Sequence, residues 1–259
     1  MPIKHINTIC LSRPHELEQQ WITARYRCIK ADCAVVVIDT DEGLRGIGEA
    51  SAYGHPLRIR DWVRWLSPAL IGRDPLDPEV SIPPNGGDRS FDAAVSGIDC
   101  ALWDLRGKIT GKRVAELLWE EESGDGRSAE SGGPADRVRL YASAGCSYDW
   151  RGDPTVLIRE AESYIERGYT AMKFRLGTHW EWDGVTVERF LGLVRELHQQ
   201  VDGRMDLILD GNCRLSEDQA IAIAKELDRL GFLWFEEPVP WSSPDSYARI
   251  ARSVSIPIS

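Results

Sequence analysis

The stretch AMKFRLG, Ala171 to Gly177, decides how the rest of the chain is read. Apolar Met172, Phe174 and Leu176 alternate with Lys173 and Arg175, the period of a β-strand. That period puts both cations on one face and the apolar side chains on the other. A strand facing water does the same. Here, however, a long helical pattern and another strongly apolar strand follow, so the stretch reads as an inner strand of an α/β protein.

The pattern around it is regular. Strands are expected over Val138–Ala144, Ala171–Leu176, Met205–Asp210 and Phe232–Glu236. Helices are expected over Asp153–Arg167, Asp183–Val201, Ser216–Leu230 and Ser243–Ser253, with Ser216 as an N-cap and Gly231 just past a C-terminus. SIPIS, from Ser255, reads as the start of one more strand. Strand and helix alternate about every thirty residues, the signature of a parallel α/β sheet or barrel.

The first part is mixed. Cys33–Ser51 reads as a β-hairpin, with Ala34–Ile38 and Leu44–Gly48 either side of an Asp-Glu-Gly turn. Arg58–Leu70, Phe91–Gly111 and Val114–Trp119 read as helices, the second with Gly111 as its stop. Glu120–Asp136 is acidic and rich in Gly and Ser, and is expected to be a flexible linker or insertion. The expected domains are therefore 1–119, a linker over 120–136, and 137–259.

Composition narrows the function classes. The 259-residue chain carries a formal charge of −10 and is 42% hydrophobic. It can bury a sizeable core. The acidic balance and lack of a basic run argue against a nucleic-acid partner. No apolar run approaches about 18 residues, so no membrane span is expected. The N-terminus lacks a long apolar stretch, so no signal peptide is expected. Six cysteines without a CxxC pair suggest buried reduced thiols in a cytoplasmic protein.

Two further strands carry charge at their C-terminal ends. LILDGN gives Asp210 and Asn212, and LWFEEP gives Glu236 and Glu237. In parallel α/β folds those ends form the active-site face. Lys173, Arg175, Asp210 and Glu236 are therefore expected to converge there. Buried carboxylates need a counter-charge. Lys173 and Arg175 supply one in a purely structural, metal-free core. A hard divalent ion such as Mg²⁺ on Asp210 and Glu236 supplies another. A lysine is also notable in a chain that prefers arginine. On an inner strand its pKa can be lowered for proton chemistry, or it can donate to a substrate anion.

At these residues the chain resembles the enolase superfamily, in its mandelate racemase and muconate-lactonizing branch. IDTDEGLRGIGEA and AVSGIDCALWDLRGKITGK resemble that family's α+β capping domain, and RVRLYASAG its first barrel strand. AMKFRLG matches a Lys-x-Lys strand, LILDGN an Asp-x-Asn metal strand and WFEEP a Glu-Glu-Pro metal strand. The resemblance implies a capping domain followed by a (β/α)₈ TIM barrel. It implies Mg²⁺ on Asp210 and Glu236, with Asn212 and Glu237 supporting them. Lys173 assists electrostatically as an enediolate forms after α-proton abstraction. Glu49, Tyr53 and His55 match a loop that closes over substrate, as does Trp21–Arg27.

Two departures sharpen the expectation. Arg175 stands where the second Lys, the usual base, would be, and Arg is a poor base. Racemisation needs a base on each face, so a one-base elimination fits better: an acid-sugar dehydratase, a lyase acting on a small carboxylate. A racemase, epimerase or cycloisomerase is the alternative. The second departure is length. Only about the first half of a barrel is expected, since a full one takes about 250 residues. The third metal ligand and the opposite base would lie beyond it. Open strand edges would follow, and with them poor monomer stability. An oligomer, a complementing chain, or a non-catalytic fragment acting only through association are the corresponding readings.

Overall fold

A computed structural model describes residues 1–16, 20–22, 27–50, 55–77, 79–84, 86–123 and 135–259. The chain divides into two compact units. The first takes in Met1–His15 and Lys30–Arg137, and the second Glu16–Ile29 and Val138–Ser259. Linear reading placed Glu16–Ile29 with the N-terminal residues.

In the first unit, β1 (Ile3–Pro14), β4 (Lys30–Thr40) and β5 (Arg45–Ala50) form an antiparallel sheet in the order β1-β4-β5. The hairpin of β4 and β5 is as expected. β1 is not anticipated by the sequence reading. Its two faces are both mixed: Ile9 and Leu11 are half exposed while Thr8 and Cys10 are partly buried, so the alternation is blurred. Helices α1 (Pro56–Leu66) and α2 (Arg89–Thr110) cover one face, with Val36, Ile38, Ile59, Ala94, Ala101 and Leu105 fully buried. The approach is close. A Cβ on Gly48 would press on the Gly97 carbonyl and lie 2.6 Å from the Ala101 nitrogen of α2.

Helix ends follow local chemistry. α1 stops at Leu66, short of Leu70, because Pro68 has no N–H to continue the ladder, and a 3₁₀ turn follows over Ser67–Ala69. α2 ends on Gly111, whose φ of 69° is the left-handed cap a side chain resists. α3 (Val114–Ser123) extends beyond Trp119 into the acidic run read as linker, since glutamates are good helix formers. The remainder of that run, 124–134, lies outside the described residues.

The second unit holds a short hairpin, β2 (Trp21–Ile22) with β3 (Arg27–Cys28), and a four-stranded parallel sheet. Its strands are β6 (Ala142–Ser143), β7 (Ala171–Arg175), β8 (Asp206–Asp210) and β9 (Phe235–Glu236), in that order. They alternate with α4 (Val156–Glu166), α5 (Val187–Val201), α6 (Glu217–Leu230) and α7 (Pro244–Arg252). Ile258 bridges Phe235 in parallel, continuing the order as SIPIS suggested. This is a partial (β/α) barrel preceded by an α+β unit.

β6 is shorter than the expected Val138–Ala144. Val138 and Leu140 are 78% and 69% exposed, so no burial draws them into the sheet. Helix α6 starts with a full capping box: Ser216 takes the Gln219 N–H, and Gln219 reaches back to the Ser216 N–H. The apolar faces of all four helices meet Met172, Phe174, Leu207, Leu209 and Phe235 in one core. The cysteines depart from the expectation of buried thiols. None of the six is in a disulfide, but five are half-buried and Cys100 is exposed, so none sits in the core.

Candidate active site

Register brings three charges into one row. Arg175 of β7 pairs with Asp210 of β8, and Asp210 with Glu236 of β9. Lys173 lies two residues earlier on β7, on the same face as Arg175. Arg175, Asp210 and Glu236 end their strands, as anticipated, and Lys173 sits mid-strand on β7.

They are mutually paired. Lys173 Nζ donates to Glu236 Oε1 at 2.8 Å and lies 3.5 Å from Asp210 Oδ2. Arg175 Nε donates to Asp210 Oδ2 at 3.2 Å. Side-chain exposure is 10% for Lys173, 3% for Asp210, 25% for Arg175 and 27% for Glu236. Two cations and two carboxylates thus sum to neutrality in a half-buried cluster, which is how buried charge is tolerated.

The environment sets the charge states. Burial pushes the Lys173 ammonium down, but its bond to Glu236 and the charges of Asp210 and Glu236 outweigh that and hold it above its ordinary value. This corrects the idea of a lysine with a lowered pKa: with two carboxylates alongside, Lys173 is a charged donor. Burial pushes Glu236 up, yet the bonds from Lys173 and Trp234 leave it below the usual carboxylate range.

Each carboxylate is anchored from a second side. Trp234 Nε1 donates to Glu236 Oε2 at 3.2 Å, so both oxygens of Glu236 are engaged. The Asn212 N–H donates to Asp210 Oδ1 at 2.8 Å. Asn212 and Glu237 take left-handed backbone, with φ of 51° and 42°, as the chain turns off each strand. The Cys213 N–H donates to the Glu237 carbonyl at 2.8 Å, which ties the two turns together. Asn212 thus reaches the cluster through its backbone, and Glu237 follows Glu236 directly in sequence.

Several contributors escaped the sequence reading. Trp234 is two residues from Glu236 and so shares its face, a signal that period two offered. Tyr141 packs edge-on against Trp234 at 5.7 Å between ring centroids, and the Lys173 ammonium lies 6.0 Å from the Tyr141 ring. Cys146, on the turn after β6, carries a thiol that burial pushes up; nothing in its sequence setting marked it.

Of the expected substrate-loop residues, Glu49 and His55 belong to the first unit, and Trp21, Ile22 and Arg27 to the second. Glu49 is exposed on β5. His55 is the N-cap of α1, its Nδ1 accepting the Leu57 N–H at 3.3 Å. A cavity of about 280 Å³ lies beside it, lined by Cys10, Ser12, Lys30 and Asp32 among others. Tyr53 and residues 23–26 lie outside the described residues.

No cluster of three or more His, Cys, Asp or Glu poised for a metal occurs among the described residues. Asp210 and Glu236 nevertheless fit a hard cation. They are oxygen donors on adjacent paired strands, and one or two carboxylates with waters satisfy Mg²⁺. No described helix is long and apolar enough to cross a membrane.

Comparison with known proteins accounts for this arrangement. Residues 6–119 match the mandelate racemase / muconate lactonizing enzyme N-terminal domain, and residues 156–259 the enolase C-terminal domain-like family. A D-galactonate dehydratase of Verminephrobacter eiseniae is 30% identical over 85% of this chain and 56% of its own length. A D-galactarolactone cycloisomerase of Agrobacterium fabrum is 28% identical over 94% of this chain and 61% of its own. The chain thus spans little more than half of the curated relatives it matches. A solved enolase-superfamily member from Polaromonas sp. JS666 superimposes with a TM-score of 0.78 at 28% identity, over all of this chain and 65% of that one. With both domain types in order and the charged row at the strand ends where the motifs place it, the chain belongs to the enolase superfamily, in its mandelate racemase/muconate lactonizing branch.

Proposed function

We propose that this chain carries the metal-binding and charge-stabilising part of a Mg²⁺-dependent acid-sugar dehydratase. The observation that carries the reading is the neutral row of Lys173, Arg175, Asp210 and Glu236 on three adjacent parallel strands. Members of the superfamily bind Mg²⁺, and Asp210 and Glu236 are the residues that would hold it here. When bound, the ion would grip a substrate carboxylate and offset the negative charge that develops as the α-proton leaves.

The chain's own residues do the rest. Lys173 keeps its ammonium beside both carboxylates and donates toward the anion that replaces them as partner. Arg175 offers a fixed guanidinium to orient the substrate carboxylate. Neither cation is suited to take the α-proton, so a single base on the other face would do so. One base favours elimination of a β-hydroxyl over racemisation. The named dehydratase among the relatives supports the same reading.

Calorimetry with Mg²⁺ on the wild type and on Asp210→Ala tests the metal assignment. Binding by the wild type and its loss in the variant are expected; negligible binding by both would overturn it. For the reaction, incubation with galactonate and arabinonate in D₂O, together with a chain that supplies the remaining barrel strands, is expected to give a 2-keto-3-deoxy acid. The cycloisomerase likeness favours a second reading within the branch. α-Deuterium exchange or ring opening without loss of water would select it over the dehydratase.

A further inference from the structure

Three consecutive side chains on the turn after β6 reach across to the end of β7. Tyr148 Oη donates to the Arg175 carbonyl at 2.6 Å. Asp149 Oδ1 lies 2.7 Å from His179 Nδ1. Trp150 Nε1 donates to the Leu176 carbonyl at 2.7 Å. From the other side, Arg214 Nη2 donates to the Gly177 carbonyl at 2.9 Å. The carbonyls of residues 175, 176 and 177 are thus each taken by a side chain from elsewhere.

The backbone joins in. The Thr178 N–H donates to the Tyr148 carbonyl at 2.8 Å, and Asp149 bridges Thr178 in parallel. Gly177 sits against the Tyr148 ring so closely that a Cβ there would lie 2.5 Å from it. Tyr148 and Trp150 are both 1% exposed. Burial pushes the Tyr148 phenol well above its ordinary value, so it stays a donor.

Buried carbonyls beyond a strand end have no ladder partner, and bonds of this kind replace it. The same bonds fix where the strand stops and how its last side chain leaves it. That side chain is Arg175, whose guanidinium must meet Asp210.

We propose that Tyr148, Asp149 and Trp150 form a positioning clamp for Arg175. They hold the backbone after β7 so that the guanidinium faces Asp210 and, in the reading above on which this rests, the substrate carboxylate. Tyr148 and Trp150 act through the backbone carbonyls of Arg175 and Leu176, and Asp149 through the His179 side chain.

The test follows the Arg175 Nε–H by NMR hydrogen exchange in the metal-free full chain. It needs neither Mg²⁺ nor turnover, so its outcome is independent of the dehydratase reading. Tyr148→Phe removes the hydroxyl and keeps the ring. Loss of one buried hydrogen bond predicts about tenfold faster exchange at Arg175 Nε–H. Leu197→Ala, in the α5 core away from the clamp, controls for general destabilisation and is expected to leave that exchange unchanged. If Tyr148→Phe does not fold, Asp149→Asn at a half-exposed position is expected to speed the exchange about threefold. An unchanged rate in the folded clamp variant, or an equal rise in Leu197→Ala, would overturn the proposal.

Discussion

Replacing Lys173 by Met removes one charge and keeps most of the volume. Its Nζ lies 2.8 Å from Glu236 Oε1 and 3.5 Å from Asp210 Oδ2, so at an effective dielectric of about 20 the gross attractions are about 6 and about 5 kcal/mol. Desolvating the ammonium offsets several kcal/mol of that. The variant leaves two carboxylates facing one arginine. Asp210, 3% exposed, keeps Arg175; Glu236, 27% exposed, keeps the Trp234 indole and regains some water. Breaking a buried pair costs about 3–5 kcal/mol, and the residual partners bring the expectation to about 2–3 kcal/mol. Denaturant unfolding followed by tryptophan fluorescence measures it. Two further signatures separate charge from packing. Mg²⁺ should restore more stability to the variant than to the wild type, because it replaces the missing cation. Lowering the pH toward the carboxylate range should shrink the difference, because the uncompensated acid protonates. A Lys173→Met chain within about 0.5 kcal/mol of wild type, the scale of a surface pair, and indifferent to both, would refute the reasoning.

Other outcomes are equally specific. Glu226 accepts from Arg195 at 2.6 Å and Arg229 at 2.7 Å, and these bonds hold its pKa at about 2. A depressed carboxylate contributes stability above its unfolded pKa and loses it as pH falls toward the folded one. Acid unfolding of Glu226→Gln should therefore lack part of the wild-type loss between about pH 4.5 and about 2. Gly48→Ala should destabilise by about 2–3 kcal/mol in thermal or chemical unfolding, since the new methyl drives α2 off the sheet. Ser216→Ala removes one arm of the α6 capping box and should cost about 1 kcal/mol by the same measurement, with Ser216→Asp recovering most of it.

The barrel-type unit was legible because each of its elements announces itself locally. Period-two strands, capped amphipathic helices and glycine stops recur in order, and the charges at the strand ends follow from that order. Lys173, Arg175, Asp210 and Glu236 therefore came together as read. Features lost to the reading depend on tertiary context. β1 carries apolar residues on both faces, so its sequence offers no clean period. The outer half of the expected first barrel strand, from Val138, has apolar residues but no neighbour to pair with. Tyr148, Trp150 and Arg214 lie in turns, where no periodicity operates and a side chain's target is set by the fold alone. The charge state of Lys173 likewise depends on the contest between burial and two acids, which sequence does not weigh.

The shared register of Arg175, Asp210 and Glu236 has a consequence for how such a protein can change. Slipping β8 by one residue would turn Asp210 to the opposite face and replace it with Leu209 or Gly211. The apolar side chains of Met172, Phe174, Leu207, Leu209 and Phe235 lock that register from behind. The turns in front include stretches outside that lock, among them the exposed Pro240, Trp241 and Ser242. A lineage built on this sheet can rewrite its turns, and with them the molecules it admits, while the row of charges keeps its place.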